Sequence, residues 1–400
     1  MNAPFLLSDS FQLKPEVTLQ NRLVKASTEE LLADSKGNIT GDLIRLYEAW
    51  GKKSPGMILT GNIFVSPEAV CRKGNGYISE DTAFKRDFKE LARAASAGGA
   101  KAIVQINHAG RQALKSSFGE AVGPSDIGVK GFGPLMKKPR SLAEPEIEAI
   151  INDFVRSAKV VEECGFAGVQ IHSAHGYLLS QFLSPLVNKR QDKWGGSLEN
   201  RSRLLLSIVK AVKEATSENF IVCVKLNSAD FQRGGFDESE SMEVAKKLEE
   251  LAIDFLEISG GSYEEPAMMG TASTQKREVY FLKFAEQLRL KVKTKLLVTG
   301  GFRSAAGMNQ ALVDGHCDLI GVARPFLVEK DFVKKILEEK STIDSNTWTD
   351  RVGNRKLDAI LQSVWYKRQI RRTAKFGEPH GPRLNPYLTL AVELPILLWE

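Results

Sequence analysis

Short apolar runs rich in Val, Ile and Leu recur along the chain, each followed by small or polar residues and then by a segment with helical apolar spacing. Eight such runs lie at residues 23–26, 57–60, 102–106, 168–171, 221–226, 255–258, 296–299 and 319–322. The segments between and after them, 42–52, 82–97, 144–164, 200–216, 239–252, 279–290, 305–314 and 330–338, read as helices. In the third of these, Phe154, Val155, Ala158 and Val161 form one apolar face, bordered by charge at Glu162. Buried strands alternating with amphipathic helices imply a parallel sheet, and eight repeats favour its closure into a (β/α)8 TIM barrel, an α/β fold of one domain. A doubly wound sheet is the alternative, and the lack of a GxGxxG after the first run counts against it. The pattern divides the chain into a barrel over residues 1–340 and a C-terminal helical extension and tail over 341–400.

Two stretches break the alternation. Residues 114–140, rich in Gly, Pro and Lys, form a long excursion after the third run, either a cover over an active site or a loose surface insertion. Near the C-terminus a basic stretch, 367–375, precedes a Gly/Pro-rich turn and an apolar end, 387–399. That end is too short to span a membrane and is expected to pack on the barrel or on a partner subunit, with a membrane-surface contact as the alternative, so a homo-oligomer is compatible with it.

Composition narrows the function classes. The chain carries 55 basic and 49 acidic residues, a net charge of +6 spread along its length, which argues against nucleic-acid binding. The four cysteines, Cys71, Cys164, Cys223 and Cys317, form no CxxC pair, so they read as isolated thiols with no iron–sulfur or zinc cluster. With no signal-peptide pattern and no transmembrane-length apolar run, a cytoplasmic setting is the expectation.

In such barrels chemistry collects where strands end. The third run ends in Gln105, Asn107, His108 and Arg111, the fourth in His172, His175 and Tyr177, and the fifth in Lys225 and Asn227. The seventh gives Gly300, Gly301 and Arg303, and the eighth Gly321 and Arg324. Glycines there free backbone N–H groups for a phosphate cradle, to which Arg324 adds a charge, although a plain tight turn has the same sequence. His172 and His175 lack a third metal ligand, so the metal expectation is none. Two histidines and a tyrosine at one rim fit the stabilisation of a developing oxyanion better than packing.

The stretches Gln105–Arg111 (QINHAGR), His172–Phe182 (HSAHGYLLSQF), Trp194–Arg203 (WGGSLENRSR), Lys225–Asp230 (KLNSAD) and Gly321–Arg324 (GVAR) resemble the old yellow enzyme family of NADH:flavin oxidoreductases, in order and in spacing. The resemblance covers roughly residues 4–340. It implies FMN at the C-terminal ends of the strands and NADH or NADPH as electron donor. Gln105 would bind the flavin pyrimidine, and Lys225 would stand against N1 and O2, where a cation favours the reduced form. Backbone near Gly301 and Arg303, with Ala323 and Arg324, would hold the phosphate. His172 and His175 would hydrogen-bond a substrate carbonyl, and Tyr177 would donate a proton. A small-molecule electrophile, an enone or similar, would accept hydride in a ping-pong cycle.

One stretch departs from the family. After the first run the chain reads Ala26-Ser27-Thr28-Glu29, and direct register puts Glu29 at the flavin-tuning position, where a carboxylate would oppose added negative charge. A local shift would instead bring Thr28, with Ser27, near the ring. Asn62, after the second run, is a candidate to face the isoalloxazine or to serve as a loop residue. Two further readings stay open: an NAD(P)H oxidase, quinone or nitro reductase on the same scaffold, and a redox-inactive isomerase or binding barrel.

Overall fold

The computed structural model describes residues 6–131, 133–262, 264–265, 281–302, 304–338 and 355–379. Eight parallel strands run in chain order around a closed barrel: β1 (Leu23–Lys25), β2 (Met57–Phe64), β3 (Lys101–Asn107), β4 (Gly168–Ser173), β5 (Ile221–Asn227), β6 (Leu256–Ser259), β7 (Leu296–Thr299) and β8 (Leu319–Val322), with β8 pairing back onto β1. All lie within a residue or two of the expected runs except β2. It continues through Gly61 and Asn62 to Phe64, because an irregularity between Leu59 and Asn62 re-registers it against β3. Asn62 is therefore a strand residue rather than a loop residue, level with Gln105.

Four of the helices are fixed at their starts by capping side chains. Thr40 accepts the Leu43 N–H at the head of Gly41–Gly51, Ser197 that of Asn200 before Leu198–Ala215, Asp237 that of Glu240 before Glu238–Glu250, and Ser304 that of Gly307 before Ala305–Val313. Each then buries one apolar stripe against the barrel, as Leu43, Leu46, Tyr47 and Trp50 do in the first. The expected helix at 279–290 is described as Leu282–Arg289, and that at 330–338 as Phe332–Leu337.

Side chains alternate between the lumen and the helical layer. At the N-terminal end the lumen holds Val24, Met57, Leu59, Ile103, Ile221, Cys223, Phe255, Leu297 and Leu319 in one fully buried cluster. An antiparallel hairpin, Phe11–Lys14 with Val17–Leu19, closes that end by inserting Leu13, Val17 and Leu19. The basic stretch 367–375 lies in a helix, Arg355–Phe376, whose Trp365, Tyr366, Ile370 and Ala374 join the outer core. The apolar end at 387–399 lies outside the described residues. Among the described residues no helix is long and apolar enough to cross a membrane, and no cluster of three or more ligating side chains could hold a metal. All four cysteines are free and buried.

Candidate active site

Two residues beyond the apolar layer, the same alternation places a different set of side chains in the lumen. Ile103 is followed by Gln105, Gly168 by Gln170 and then His172, Cys223 by Lys225, and Phe255 by Glu257. Gln105 and Gln170 are register partners, as are Lys225 and Glu257, so the polar groups meet side by side. They form one chain: Ser27 Oγ donates to Gln105 Oε1 (2.8 Å), Gln105 Nε2 to Gln170 Oε1 (2.7 Å), and Gln170 Nε2 to Glu257 Oε2 (2.7 Å). The other oxygen of Glu257 pairs with Lys225 Nζ at 2.9 Å. Fixed amide orientations follow, since each glutamine has its donor and acceptor ends assigned by a neighbour.

The rim beside this chain carries His172, His175 and Tyr177. His172 Nδ1 accepts the Ala174 N–H at 3.2 Å, which leaves the ring proton on Nε2 as a donor. Its pKa is well below the ordinary value, because burial, then His175 and Lys225, penalise the cation. His175 is held neutral in the same way by burial and Lys225. It adopts φ +60°, the left-handed region, and Gly176 follows at +74°. The strained turn is secured by its N–H on Asn227 Oδ1 (3.1 Å) and its Nε2 against Ser259 Oγ (2.6 Å). The His172 ring lies edge-on to His175 (centroids 5.1 Å) and to Tyr177 (5.0 Å). Asn62 Nδ2 donates to the Tyr177 hydroxyl at 3.2 Å, so Asn62 reaches the proton-donor candidate directly.

The first rim segment is organised differently. Lys25 Nζ donates to Thr28 Oγ1 (2.8 Å), which donates to Glu30 Oε1 (2.8 Å), and Tyr47 OH donates to the same oxygen (3.1 Å). Lys25 lies over Trp50 at 4.1 Å, and burial pulls its pKa down to about 8. Gly61 admits the Glu30 carboxylate, since a Cβ there would sit 1.9 Å from Glu30 Oε2. The hydroxyl of Thr28 is thus spent on this cluster. Glu29 turns to Arg72 and to Asn75 Nδ2 (3.4 Å), and Arg72 and Lys367 lower its pKa against its burial. Its charge is neutralised locally.

At the same rim, just after β7, Gly300 and Gly301 take φ +89° and +85°, which only glycine adopts without strain, and nothing lies near the position of a Gly300 Cβ. Ala323 precedes the short helix Arg324–Val328, and the Arg324 guanidinium lies 5.9 Å from the Tyr366 ring. Arg303 lies outside the described residues.

Several residues of the distinctive motifs brace loops. Gln181 Nε2 donates to Ala109 O (3.1 Å) and Gly176 O (2.8 Å), joining the loops after β3 and β4. Arg201 donates to Gly196 O (3.1 Å) and pairs with Glu240 (2.5 Å). Arg111 pairs with Glu264 (2.8 Å), which also accepts the Lys130 N–H (2.6 Å), so the 114–140 excursion is tied to the loop after β6.

With this geometry, a family model matches residues 7–342. The chain belongs to the NADH:flavin oxidoreductase / NADH oxidase family. It is similar to the NADH-dependent flavin oxidoreductase nadA of Aspergillus parasiticus, 38% identical over 80% of this chain and 76% of the relative. It is also similar to the NADPH dehydrogenase of Clostridium acetobutylicum, 29% identical over 79% of this chain and 90% of that one. Among solved structures, a 2-naphthoyl-CoA reductase in complex with 2-naphthoyl-CoA superposes with TM-score 0.77 at 27% identity; the match covers 83% of this chain and 52% of that one. Morphinone reductase shares the fold, with TM-score 0.71. The protein is an oxidoreductase that uses FMN, with NADH or NADPH as electron donor.

The residues present fit that cofactor. Among the described residues Lys225 has no polar partner besides Glu257, leaving N–H groups at the open end of the lumen. The buried Thr299 hydroxyl has no hydrogen-bond partner among the described residues, beside the glycine turn suited to a phosphate.

Proposed function

We propose that the protein reduces activated C=C bonds of α,β-unsaturated carbonyl compounds by a ping-pong hydride transfer, nicotinamide and acceptor using one pocket in turn. The observation that carries this reading is the neutral His172, with its Nε2 proton available, packed edge-on against Tyr177 and His175 at one rim. FMN, when bound, supplies the centre that takes hydride from the nicotinamide and passes it to the acceptor. Gln105 and Lys225 would hold its pyrimidine, with Ser27 orienting Gln105, Thr28 behind the first rim segment and Asn62 beside Tyr177. Gly301, Arg303, Ala323 and Arg324 would hold its phosphate.

The chain's own groups do the rest. Hydride addition to the β carbon of an enone pushes charge onto the carbonyl oxygen, and His172 meets that charge with a hydrogen bond in a site where water does not compete. A neutral imidazole serves here: it donates without surrendering its proton, so the proton for the α carbon comes from Tyr177. His175, braced by Ser259 and Asn227, holds the second position beside the oxygen. The free, buried cysteines fit a reducing, cytoplasmic setting.

Steady-state kcat/KM values for an enone, a quinone, a nitroaromatic and oxygen test the reading. The enone is expected to lead. Faster turnover of quinone or oxygen, with the enone inert, would replace it with the oxidase or quinone-reductase reading.

A further inference from the structure

Glu257 is a fully buried carboxylate inside an apolar strand, with Leu256 on one side and Ile258 on the other. Nothing in the chemistry above uses it. Its two oxygens have separate tasks: Oε2 takes the Gln170 amide at 2.7 Å, and Oε1 faces Lys225 Nζ at 2.9 Å. Through Gln170 it fixes which end of Gln105 is donor and which acceptor. Through Lys225 it sets how much positive charge reaches the open end of the lumen, because Lys225 is 6% exposed there and Glu257 not at all.

A buried pair of this kind adds little to stability, since desolvation of both ions offsets their attraction. A neutral pair of similar volume would serve packing as well. The arrangement does have an electrostatic consequence: a lone buried Lys225 would present an undamped cation to any group held against it, and Glu257 opposes that cation at short range in a medium of low dielectric. We propose that Glu257 is a positioning residue that damps the field of Lys225 on the bound flavin and so keeps its reduction potential low enough for hydride to leave towards an acceptor. The inference rests on the placement of Lys225 against the flavin pyrimidine proposed above.

The test is the two-electron midpoint potential of the FMN-loaded protein, read spectroscopically. Glu257→Gln keeps the hydrogen bond to Gln170 and removes the charge. It is expected to shift the equilibrium about tenfold towards reduction, about 30 mV upward for a two-electron couple. Glu257→Asp, which restores the charge, is expected to return most of the shift; a merely structural role would not make the potential follow the charge. Lys225→Gln is expected to move the potential downward. An unchanged or lower potential in Glu257→Gln, with Lys225→Gln lowering it, would overturn the role of Glu257 alone. No response to Lys225→Gln would remove Lys225 from the flavin and the inference with it. Should Glu257→Gln fail to take up FMN, the neutral pair Glu257→Gln/Lys225→Met is compared with Lys225→Met alone: it is expected above that single variant, because the opposing field of Glu257 is gone, and an equal or lower value would contradict the proposal.

Discussion

The two ends of one barrel lumen are built by the same strands under opposite rules. At the N-terminal end Ile103, Cys223, Phe255 and Leu297 interdigitate with the inserted hairpin residues Leu13, Val17 and Leu19 in a layer without polar side chains. Two residues further along the same strands stand the buried Gln105, Lys225 and Glu257 and the half-buried Thr299, whose hydroxyl is itself shielded. Apolar burial gains stability directly, whereas a buried polar layer at best breaks even and requires every partner to be in place. A barrel that needed only to fold would continue the apolar layer. The change of rule partway up the lumen marks where stability gives way to chemistry, and the loose ends left there, the Thr299 hydroxyl and the spare donors of Lys225, are on the chemical side.

If that contrast holds, perturbing the two ends should separate stability from function. The largest stability effect belongs to the closed end: Phe255→Ala should cost about 3–5 kcal/mol, measured by urea unfolding of the FMN-loaded protein, while the fraction still folded keeps its flavin spectrum. A loss below about 1 kcal/mol would mean that the apolar layer is not the foundation it appears from its packing. At the open end, replacing His172 and His175 together by Asn should weaken phenolate-type ligands by about 10- to 100-fold, as expected for the loss of hydrogen bonds to a charged oxygen. Unchanged affinity in ligand titrations would take the pair out of the substrate site.

Acid sensitivity should also belong to the polar end. His172 is held below its ordinary pKa and His108 is pushed down to about 4, in both cases chiefly by burial. As pH falls below about 6.5 the unfolded chain binds protons that the native chain refuses, so the stability present above that pH declines, by up to about 1.4 kcal/mol per pH unit for each histidine. The decline for His108 runs until its folded pKa is reached. Unfolding at pH 7, 6 and 5 should show this slope, and His108→Gln should remove one histidine's share of it; an identical slope in the variant would contradict the assignment. The smallest effect is expected at Glu29. With its carboxylate on Arg72, partly exposed, Glu29→Gln should cost no more than about 1 kcal/mol and leave the flavin band in place. Loss of FMN from that variant would put Glu29 in the cofactor site after all.

Much of this contrast was legible in the sequence. Strands buried on both faces appear as continuous apolar runs, which is why all eight could be placed, and polar residues at the ends of those runs or just past them, Gln105, His172, Tyr177 and Lys225, stand where strands end. The hairpin over Phe11–Leu19 was not read, because its strands are three and four residues long and bury only alternate positions. Gln170 and Glu257 stand at the same place in their runs as Gln105 and Lys225 do in theirs, and the signal for Glu257 is there: a lone ionisable residue between Leu256 and Ile258 must have a buried partner. The spending of Thr28 on Lys25 and Glu30, and of Glu29 on Arg72, depends on helix Gly41–Gly51 and on segment 65–75 meeting the first rim, which no local pattern encodes. The motif residues Gln181 and Arg201 carried the family likeness, but their work is to hold loops in place.

The most direct test of the open end as a reaction site is Tyr177→Phe, followed in its two half-reactions by rapid mixing without oxygen. Flavin reduction by NAD(P)H should proceed at the wild-type rate, while return of the flavin band on adding cyclohexenone should slow by about 100-fold or more, because only that half needs the phenolic proton. Equal slowing of both halves, or of neither, would contradict the placement of proton transfer at Tyr177.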